Sequence, residues 1–324
     1  VGVEVSTRIA AVMQPEHYRL WHTTGTVGTI GAAVAASALL DNDVAATVHA
    51  AATATTMAAG LQQAMRGDSM SKPLHSGHAA EAGVLAARLA AHGYRGAPDV
   101  LEGAAGLGAA TADAPDWSGT FDDMDSTAHI GALTIKVHAC CGHTFAAIDA
   151  TLQMRKELDL DAEAVRAVEV ATYGTALTVA GNPEPRTGAE AKFSIAYCVA
   201  AALTRGDVDL SAFSDESLAS EPLRRLTRHV SLSVDPELDA AFPARRGARV
   251  RLHLADGRVV ERTARTRRGD PEAPVSDEEL RKKFEAHVAP VLGEAGCAEL
   301  ADRLWVLDRS SDVSELLGTA EVTA

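Results

Sequence analysis

The sequence has few cysteines and few aromatic residues. Four cysteines in 324 residues do not form the disulfide framework of a small secreted domain. An iron–sulfur cluster would need more thiolates at closer spacing than Cys198 and Cys297 can add to the adjacent Cys140 and Cys141. Aromatic residues make up only 4% of the chain, so we expect a core of small side chains, which suits closely packed helices better than an all-β sandwich.

The sequence also lacks long apolar runs and a basic leader. It contains no 18-residue apolar run, so no membrane span is expected. The first residues carry neither the basic nor the apolar region of a signal peptide, and we expect a cytoplasmic protein. The chain does not begin with methionine, so a further N-terminal segment is expected.

Positive charge is scarce. The net charge of −14 argues against a general nucleic-acid or membrane-surface binder, although a local basic pocket for an anionic substrate remains compatible with it. Only six residues are lysine, against 24 arginines. A lysine retained in such a chain is a candidate for a role as a compact point charge, or else an ordinary surface ammonium.

Alanine dominates the first half of the chain, with 64 alanines in all. The spacing predicts helices over residues 31–40, 44–65, 74–92 and 145–158. Residues 94–128 are rich in glycine, aspartate and proline, and are expected to form loops with short helices.

The pattern changes after residue 158. Residues 165–172 and 229–235 alternate like strands, and two further strands, 248–255 and 258–264, flank the hairpin signal Asp256-Gly257. Residues 191–205 are predicted to be a helix, and Ser276 with Glu279 predicts a capping box at the start of a helical tail. No G-x-G-x-x-G follows a strand, which excludes a dinucleotide-binding fold.

These patterns predict a mainly α protein with a second α/β domain. The large domain is expected to be all-helical and the smaller one α+β and lid-like. The predicted boundaries are 1–157 for the helical domain, 158–275 for the α/β domain and 276–324 for C-terminal helices that return to the helical domain.

The segment LWHTTGT, residues 20–26, precedes a buried helix. Hydroxyls and free N–H groups near a helix start suit a carboxylate, so Thr24 is a candidate substrate-binding residue. His22 is a candidate general base. A structural histidine hydrogen-bonded beside Trp21 is the alternative.

The segment SKPLHSGH, residues 71–78, places a lysine at a helix start and two histidines one turn apart. His75 and His78 share a helix face. A metal site would need a third ligand such as His143 and clearer spacing, so anion binding by Lys72 and His75 is favoured.

Two later segments add candidates. KVHACCGH, residues 136–143, permits a Cys–His nucleophile pair, but the cysteines are more typical of small core residues, and His143 is the preferred functional residue. In residues 185–197, Lys192, Ser194 and Tyr197 lie together, and a core tyrosine is the alternative interpretation of the last.

Seven segments, taken in order, carry a resemblance that runs over nearly the whole chain: WHTTGTVGTIGAA, SKPLHSGHAAEAGVLAA, LEGAAG, KVHACCGHTFAAIDA, AEAKFSIAYCVAAAL, the strand–hairpin, and RRGDPEAPVSDEELRKKF. They resemble the MmgE/PrpD family, which includes 2-methylcitrate dehydratase, cis-aconitate decarboxylase and iminodisuccinate epimerase. The K-P-L-H-x-G-x-A-A and G-D-P-x-x-P segments are specific in combination.

The resemblance implies a cofactor-independent enzyme whose site lies between a helical and an α/β domain. His22, Lys72 and Tyr197 match family positions that cluster in that site, and His143 matches the histidine of a third motif. Family members carry roughly a hundred more residues ahead of this start, including an Asp-rich segment and an active-site histidine.

The implied chemistry is a lyase reaction through an α-carbanion. In a dehydration, His22 would act as acid or base, and Lys72 would stabilise the carboxylate and carbanion. Tyr197 would donate a hydrogen bond to the leaving hydroxyl or to a second carboxylate. Dehydration of 2-methylcitrate, in propionate metabolism, is the first expectation. Decarboxylation or epimerisation of a related polycarboxylate would use the same carbanion, and a non-catalytic remnant or subunit is the alternative of another class.

The expected partners are a small polycarboxylate substrate and a second copy of the chain. Neither nucleic acid, a membrane, a metal ion nor another cofactor is expected. A homodimer is expected because the apolar helices of residues 31–65 leave little polar surface. The resemblance to the family also implies a dimer.

Overall fold

The computed structural model describes residues 1–65, 69–313 and 316 of the chain. Fourteen α-helices are present in this part: α1 Gly2–Met13, α2 Glu16–Leu20, α3 Thr23–Leu39, α4 Val44–Met57, α5 Ser71–Ala91, α6 Leu107–Thr111, α7 Phe145–Glu157, α8 Gly174–Ala180, α9 Gly188–Ala191, α10 Ile195–Arg205, α11 Asp215–Ala219, α12 Glu221–Arg228, α13 Pro236–Ala241 and α14 Asp277–Trp305. Four strands are present: β1 Val165–Thr172, β2 Val230–Val234, β3 Ala248–Leu254 and β4 Val259–Ala264.

The fold class is confirmed. The chain divides into two compact units, one helical and one built around a small mixed sheet. The helical unit comprises Val1–Leu133 and Pro185–Phe193, and the sheet unit comprises Thr134–Glu184 and the chain from Ser194 onward. None of the described helices is long and apolar enough to cross a membrane.

In the helical unit, α3 packs against α1, α4 and α5. The contact surfaces consist largely of alanine. One core cluster joins α3, α4 and α5 through alanine side chains alone: Ala33, Ala36, Ala50, Ala54, Ala86, Ala87 and Ala90. Small side chains let helix backbones approach closely, as the 64 alanines predicted.

Helices α3 and α5 approach each other closely at Gly83 of α5. A Cβ atom at this position would be 2.5 Å from the Cβ of Ala32 and 2.7 Å from the backbone nitrogen of Ala33, both on α3. The distance between α3 and α5 therefore depends on the missing side chain of one glycine.

Helix bounds in this unit differ from the predictions at two places. α3 begins at Thr23 rather than at residue 31, because Thr26 and Thr29 are buried in the helix packing, which outweighs the low helix propensity of threonine. α4 ends at Met57 rather than at residue 65, because Ala58 is extended and Gly60 takes φ +134°.

The sheet has strand order β2-β1-β3-β4. β1 and β2 are parallel, and the other pairs are antiparallel. The buried Val168 and Val170 alternate with more exposed neighbours along β1, as its sequence predicted. The hairpin prediction is also confirmed, since Gly257 takes φ +87° between β3 and β4.

The division of the chain differs from the predicted boundary at residue 157. Helix α7 belongs to the sheet unit because it packs against β3 and β4 and against α10. The segment Pro185–Phe193 belongs to the helical unit. The helix predicted over residues 191–205 begins only at Ile195, as α10 with Ser194 as its N-cap, and Ala191 is the last residue of the separate helix α9.

The capping box that begins the C-terminal helix is confirmed. The Ser276 side chain accepts a hydrogen bond from the backbone of Glu279, and the Glu279 carboxylate accepts one from the backbone of Ser276.

The C-terminal tail was predicted to return to the helical domain, but its described part belongs to the sheet unit. An ion pair joins Glu279 to Arg268 of that unit. The predicted helical region beyond residue 316 lies outside the described residues.

The close approach of α3 and α5 leads to a stability prediction. We expect Gly83→Ala to lower the free energy of unfolding by about 1–3 kcal/mol, because the new methyl group must displace backbone atoms of α3. Denaturant unfolding monitored by circular dichroism measures it. Gly77→Ala is the matched control on the same helix, since a Cβ there meets nothing within 4 Å. Gly77→Ala should raise stability by about 0.5–1 kcal/mol, and equal effects of the two variants would contradict the prediction.

Candidate active site

His22 lies at the start of the most buried helix of the helical unit. It is the N-cap residue of α3, and its backbone N–H donates a hydrogen bond of 3.0 Å to the carbonyl of Gly60. Next to it, Trp21 forms an antiparallel bridge with Leu61. Because the backbone is hydrogen-bonded at both Trp21 and His22, the position of the imidazole is fixed. Only 8% of His22 is exposed.

The His22 side chain is in contact with a second imidazole from α5. The Nδ1 atoms of His22 and His75 lie 2.9 Å apart, and the ring planes are inclined at 46°. A hydrogen bond between two ring nitrogens needs one protonated donor and one unprotonated acceptor. The pair therefore holds one proton between its Nδ1 atoms, and protonating both of these atoms would break the contact.

The loop after α4 closes against this pair at Gly60. A Cβ atom at Gly60 would be 3.2 Å from Nδ1 of His75, and the backbone there takes φ +134°, which side-chain-bearing residues rarely adopt. Both facts favour glycine at this position. The same glycine accepts the backbone hydrogen bond of His22, so one residue positions both histidines.

Lys72 lies one turn before His75 in the first turn of α5. Its Nζ atom is 4.9 Å from the centre of the Phe193 ring, a cation–π contact. The segment that carries Phe193 belongs to the same helical unit, and it also carries Lys192. Both lysines are half-buried.

The surroundings lower the pKa of His22 to about 4. Burial of the ring is the largest cause, and the positive charges of Lys72 and His75 add to it. At neutral pH, in the absence of a ligand, His22 is therefore an uncharged imidazole able to accept a proton.

The sheet unit contains a second histidine contact. Nδ1 of His143 lies 2.7 Å from the hydroxyl of Tyr173, and the Tyr173 ring stacks on Phe242 at 4.7 Å. His143 and Tyr173 are both buried. His138, in the same loop as His143, bonds through Nε2 to the Asp149 carboxylate at 2.8 Å.

Tyr197 and Ser194 have structural partners. The Tyr197 hydroxyl donates a hydrogen bond of 2.6 Å to the carbonyl of Ala212, and burial raises the pKa of Tyr197 to about 12. The Ser194 hydroxyl donates to the carbonyl of Asn182 at 2.6 Å and accepts the backbone N–H of Tyr197 at 3.1 Å. These contacts favour the core-tyrosine interpretation and weigh against substrate contact by either side chain, whose catalytic or binding roles stay predictions.

Comparison with known proteins identifies the family. The MmgE/PrpD N-terminal domain matches residues 1–120, and the MmgE/PrpD C-terminal domain matches residues 138–307. The chain belongs to the MmgE/PrpD family.

The chain is similar along most of its length to proteins named for one reaction. It is 29% identical to the cis-aconitate decarboxylase-like protein oryM of Aspergillus oryzae, over 98% of the chain and 69% of that protein. It is 27% identical to the cis-aconitate decarboxylase of Aspergillus terreus, over 92% of the chain and 64% of the relative. The mouse cis-aconitate decarboxylase is 26% identical, over 97% of the chain and 65% of the relative. The chain thus spans about two thirds of the length of these MmgE/PrpD proteins.

The predicted site residues of this MmgE/PrpD chain fall into two groups. Five of them lie in the helical unit: His22, Thr24, Lys72, His75 and Lys192. The other three lie in the sheet unit: His143, Ser194 and Tyr197. Within the helical unit the structure brings His22 and His75 into contact, with Lys72 close enough to influence the pKa of His22. Thr24 is exposed in the first turn of α3.

Sequence reasoning missed Gly60 and Tyr173. Gly60 falls within the helix predicted over residues 44–65, although a glycine there also signals a helix end. Tyr173 directly follows the buried strand β1, and a polar aromatic residue at a strand end was an available signal. In the described part of the chain, no group of three or more His, Cys, Asp or Glu side chains could hold a metal ion, and the expectation of a metal-free site stays a prediction.

The pKa of His22 leads to a pH prediction. The folded-state pKa lies below the ordinary value of 6.5, so the unfolded chain binds the proton first as the pH falls. We expect the stability contribution of neutral His22 to be present above pH 6.5 and lost as the pH falls through about 4. Histidine side-chain NMR should show a His22 titration midpoint of about 4.

Lys72→Met should raise this midpoint, because the positive charge that opposes protonation is removed, while burial still holds the pKa below 6.5. Lys282→Met, which removes an exposed charge from α14, is the control and should leave the midpoint in place. An unchanged midpoint in Lys72→Met would show that Lys72 does not act on His22.

Proposed function

We propose that the chain carries the catalytic part of a cofactor-independent lyase that decarboxylates a small unsaturated tricarboxylate of the cis-aconitate type through a carbanion. The observation that carries the proposal is the contact of the buried His22 with the half-buried His75 beside Lys72. The chain's similarity to proteins named cis-aconitate decarboxylase supports it.

Lys72 supplies the positive charge that the reaction needs. Cleavage of a bond next to a carboxylate leaves an electron pair that must spread onto carboxylate oxygens, and a fixed ammonium stabilises that charge. Lys72 is half-buried, and its contact with Phe193 gives the ammonium one preferred position. A charge held in place before the reaction stabilises the carbanion without reorganisation.

His22 handles the proton. In a decarboxylation the C–C bond to the departing carboxylate breaks, its electron pair becomes an allylic carbanion, and a proton must then be added to carbon. His22 is neutral in the free protein. A bound tricarboxylate brings negative charge beside the imidazole and raises its pKa, so that His22 takes up a proton as the substrate binds and delivers it to the carbanion.

His75 determines which nitrogen of His22 is available. Since the two Nδ1 atoms share one proton, the other nitrogen of His22, Nε2, is the atom that can exchange a proton with a substrate. With Nδ1 engaged, Nε2 carries either a lone pair or a proton according to the direction of the shared hydrogen bond. His75 is thus proposed to position His22 rather than only to bind a carboxylate.

The same groups suit dehydration of 2-methylcitrate, the first expectation from the sequence, in which His22 would remove a proton and hydroxide would leave from the next carbon. The relatives favour decarboxylation, a carbon–carbon bond cleavage.

The proposal also includes two features predicted from the sequence. Thr24, His143 and Lys192 contact the substrate, and the chain assembles as a homodimer.

A substrate comparison tests the reaction. The chain should release CO₂ from cis-aconitate and should not dehydrate 2-methylcitrate at a comparable rate, as followed by CO₂ release and by proton NMR of the products.

A substitution at Lys72 tests substrate binding. Lys72→Met should weaken polycarboxylate binding about 10- to 100-fold, because it removes a charge-assisted contact worth ~1.5–3 kcal/mol. Lys282→Met is the control. Water loss without CO₂ release would instead support a dehydratase, and binding without turnover would indicate a non-catalytic subunit.

Substitutions at His75 test the positioning role. His75→Leu should lower kcat about 10- to 100-fold, because His22 loses the bond that orients it. His75→Asn keeps a hydrogen-bonding group near the position of Nδ1 and should recover part of that loss. The control His78→Asn, one turn along α5, should leave the pH–rate profile unchanged. If His75→Asn and His75→Leu reduce kcat equally while the pH–rate profile stays that of the wild type, the positioning role is refuted.

A further inference from the structure

Three of the four cysteines lie together inside the sheet unit. Cys140 and Cys141 are in the loop that precedes α7, and Cys198 is in the first turns of α10. All three are buried: Cys198 is 0% exposed and Cys140 is 7% exposed. The sequence places Cys140 and Cys198 far apart, and the packing of α7 against α10 brings them together.

Two sulfur atoms and one hydroxyl form the centre of this cluster. Sγ of Cys140 lies 3.1 Å from Oγ1 of Thr144, the N-cap residue of α7. The thiols of Cys140 and Cys198 are in hydrogen-bonding contact with each other, and Thr144 also bonds Cys198. A pair of thiols in direct contact needs little movement to form a covalent bond.

Hydrogen bonds of the residues just before Cys140 fix the position of the loop that carries it. The N–H of Ala139 donates a hydrogen bond of 3.0 Å to the carbonyl of Val208, which follows the end of α10. His138 is bonded to Asp149 of α7 at 2.8 Å. These contacts keep the loop that carries Cys140 against the helix that carries Cys198.

The two thiols differ in their electrostatic surroundings. The hydrogen bond from Cys198 is the largest influence on the pKa of Cys140 and lowers it, and the positive charge of Lys136 acts in the same direction. Burial raises the pKa of Cys198 well above its ordinary value. Cys140 is therefore the more readily ionised thiol, and Cys198 the neutral partner that donates to it.

We propose that Cys140 and Cys198 form an oxidation site at which a small hydroperoxide converts the two thiols into an intramolecular disulfide. Cys140 is the attacking residue and Cys198 the resolving residue. The inference rests on the cluster alone and is independent of the proposed lyase activity.

The chemistry proceeds in two balanced steps. The Cys140 thiolate attacks the terminal oxygen of the hydroperoxide, the O–O bond breaks, and the alkoxide leaves and takes up a proton, which produces a sulfenic acid on Cys140. The Cys198 sulfur then attacks the Cys140 sulfur, the S–O bond breaks, and the hydroxide leaves as water with the Cys198 proton. Two thiols lose two electrons in total, and the hydroperoxide is reduced to an alcohol and water.

Peptide mapping tests this site, because trypsin separates the two cysteines. Cleavage at lysine and arginine releases peptide 137–155, which contains Cys140 and Cys141, and peptide 193–205, which contains Cys198. The native chain is treated with one equivalent of hydrogen peroxide, unfolded, alkylated and digested. We expect a linked pair of these peptides, lighter by two hydrogens than their sum and separated by dithiothreitol, and a fall from four to two titratable thiols in the unfolded protein.

Three serine variants identify the partners. Cys140→Ser should abolish the linked pair, whereas Cys141→Ser should keep it. Cys297→Ser, on α14, is the matched control for a buried cysteine outside the cluster and should also keep the linkage. Circular dichroism confirms that each variant is folded, and the Cys141→Ser result decides the question even if Cys140→Ser does not fold.

Three outcomes would overturn the proposal. They are a wild-type chain that keeps four thiols under these conditions, a linked pair that disappears in Cys141→Ser, and oxidation of Cys140 to sulfinic acid without any linkage to the 193–205 peptide.

Discussion

The hydrogen bond between His22 and His75 exists only because α3 and α5 approach closely. Gly83 permits that approach, since even one methyl group there would overlap atoms of α3. Helices packed at this distance bring the N-cap residue of α3 and the first turns of α5 to the same end of the pair. The alanine-rich composition is thus a requirement of the site as well as of the core, because larger side chains between the helices would separate the two imidazoles.

Once the imidazoles are in contact, their electrostatics follow from the surroundings. Burial favours the neutral form of His22, and the nearby ammonium of Lys72 opposes a second positive charge. An arrangement of this kind is unfavourable for a cation but favourable for an anion. A polycarboxylate would offset the positive charge that opposes protonation of His22, and so favour the protonated imidazole that the proposed reaction requires.

The sheet unit contains a comparable contact between two identical side chains, here two thiols instead of two imidazoles. Two groups of the same type, Cys140 and Cys198, are in contact inside a packed interior, and their hydrogen bond makes them unequal. In both units a shared proton distinguishes two chemically identical side chains. The distinction arises from the burial and neighbouring charge of each group, and neither residue type would show it in water.

Local signals in the sequence were sufficient for much of the sheet unit. The bounds of β1, the turn at Asp256-Gly257 and the capping box at Ser276 depend on residues adjacent in the chain, and all three were predictable. The family resemblance likewise singled out His22, Lys72 and Tyr197, and the spacing of residues 71–78 added His75. Only the tertiary structure determined that His22 meets His75, 53 residues away, that α4 ends at Met57, and that α7 packs with the sheet. The physical reason is that these features depend on how closely helices and strands pack, which is set by side chains distant in the sequence rather than by neighbours along the chain.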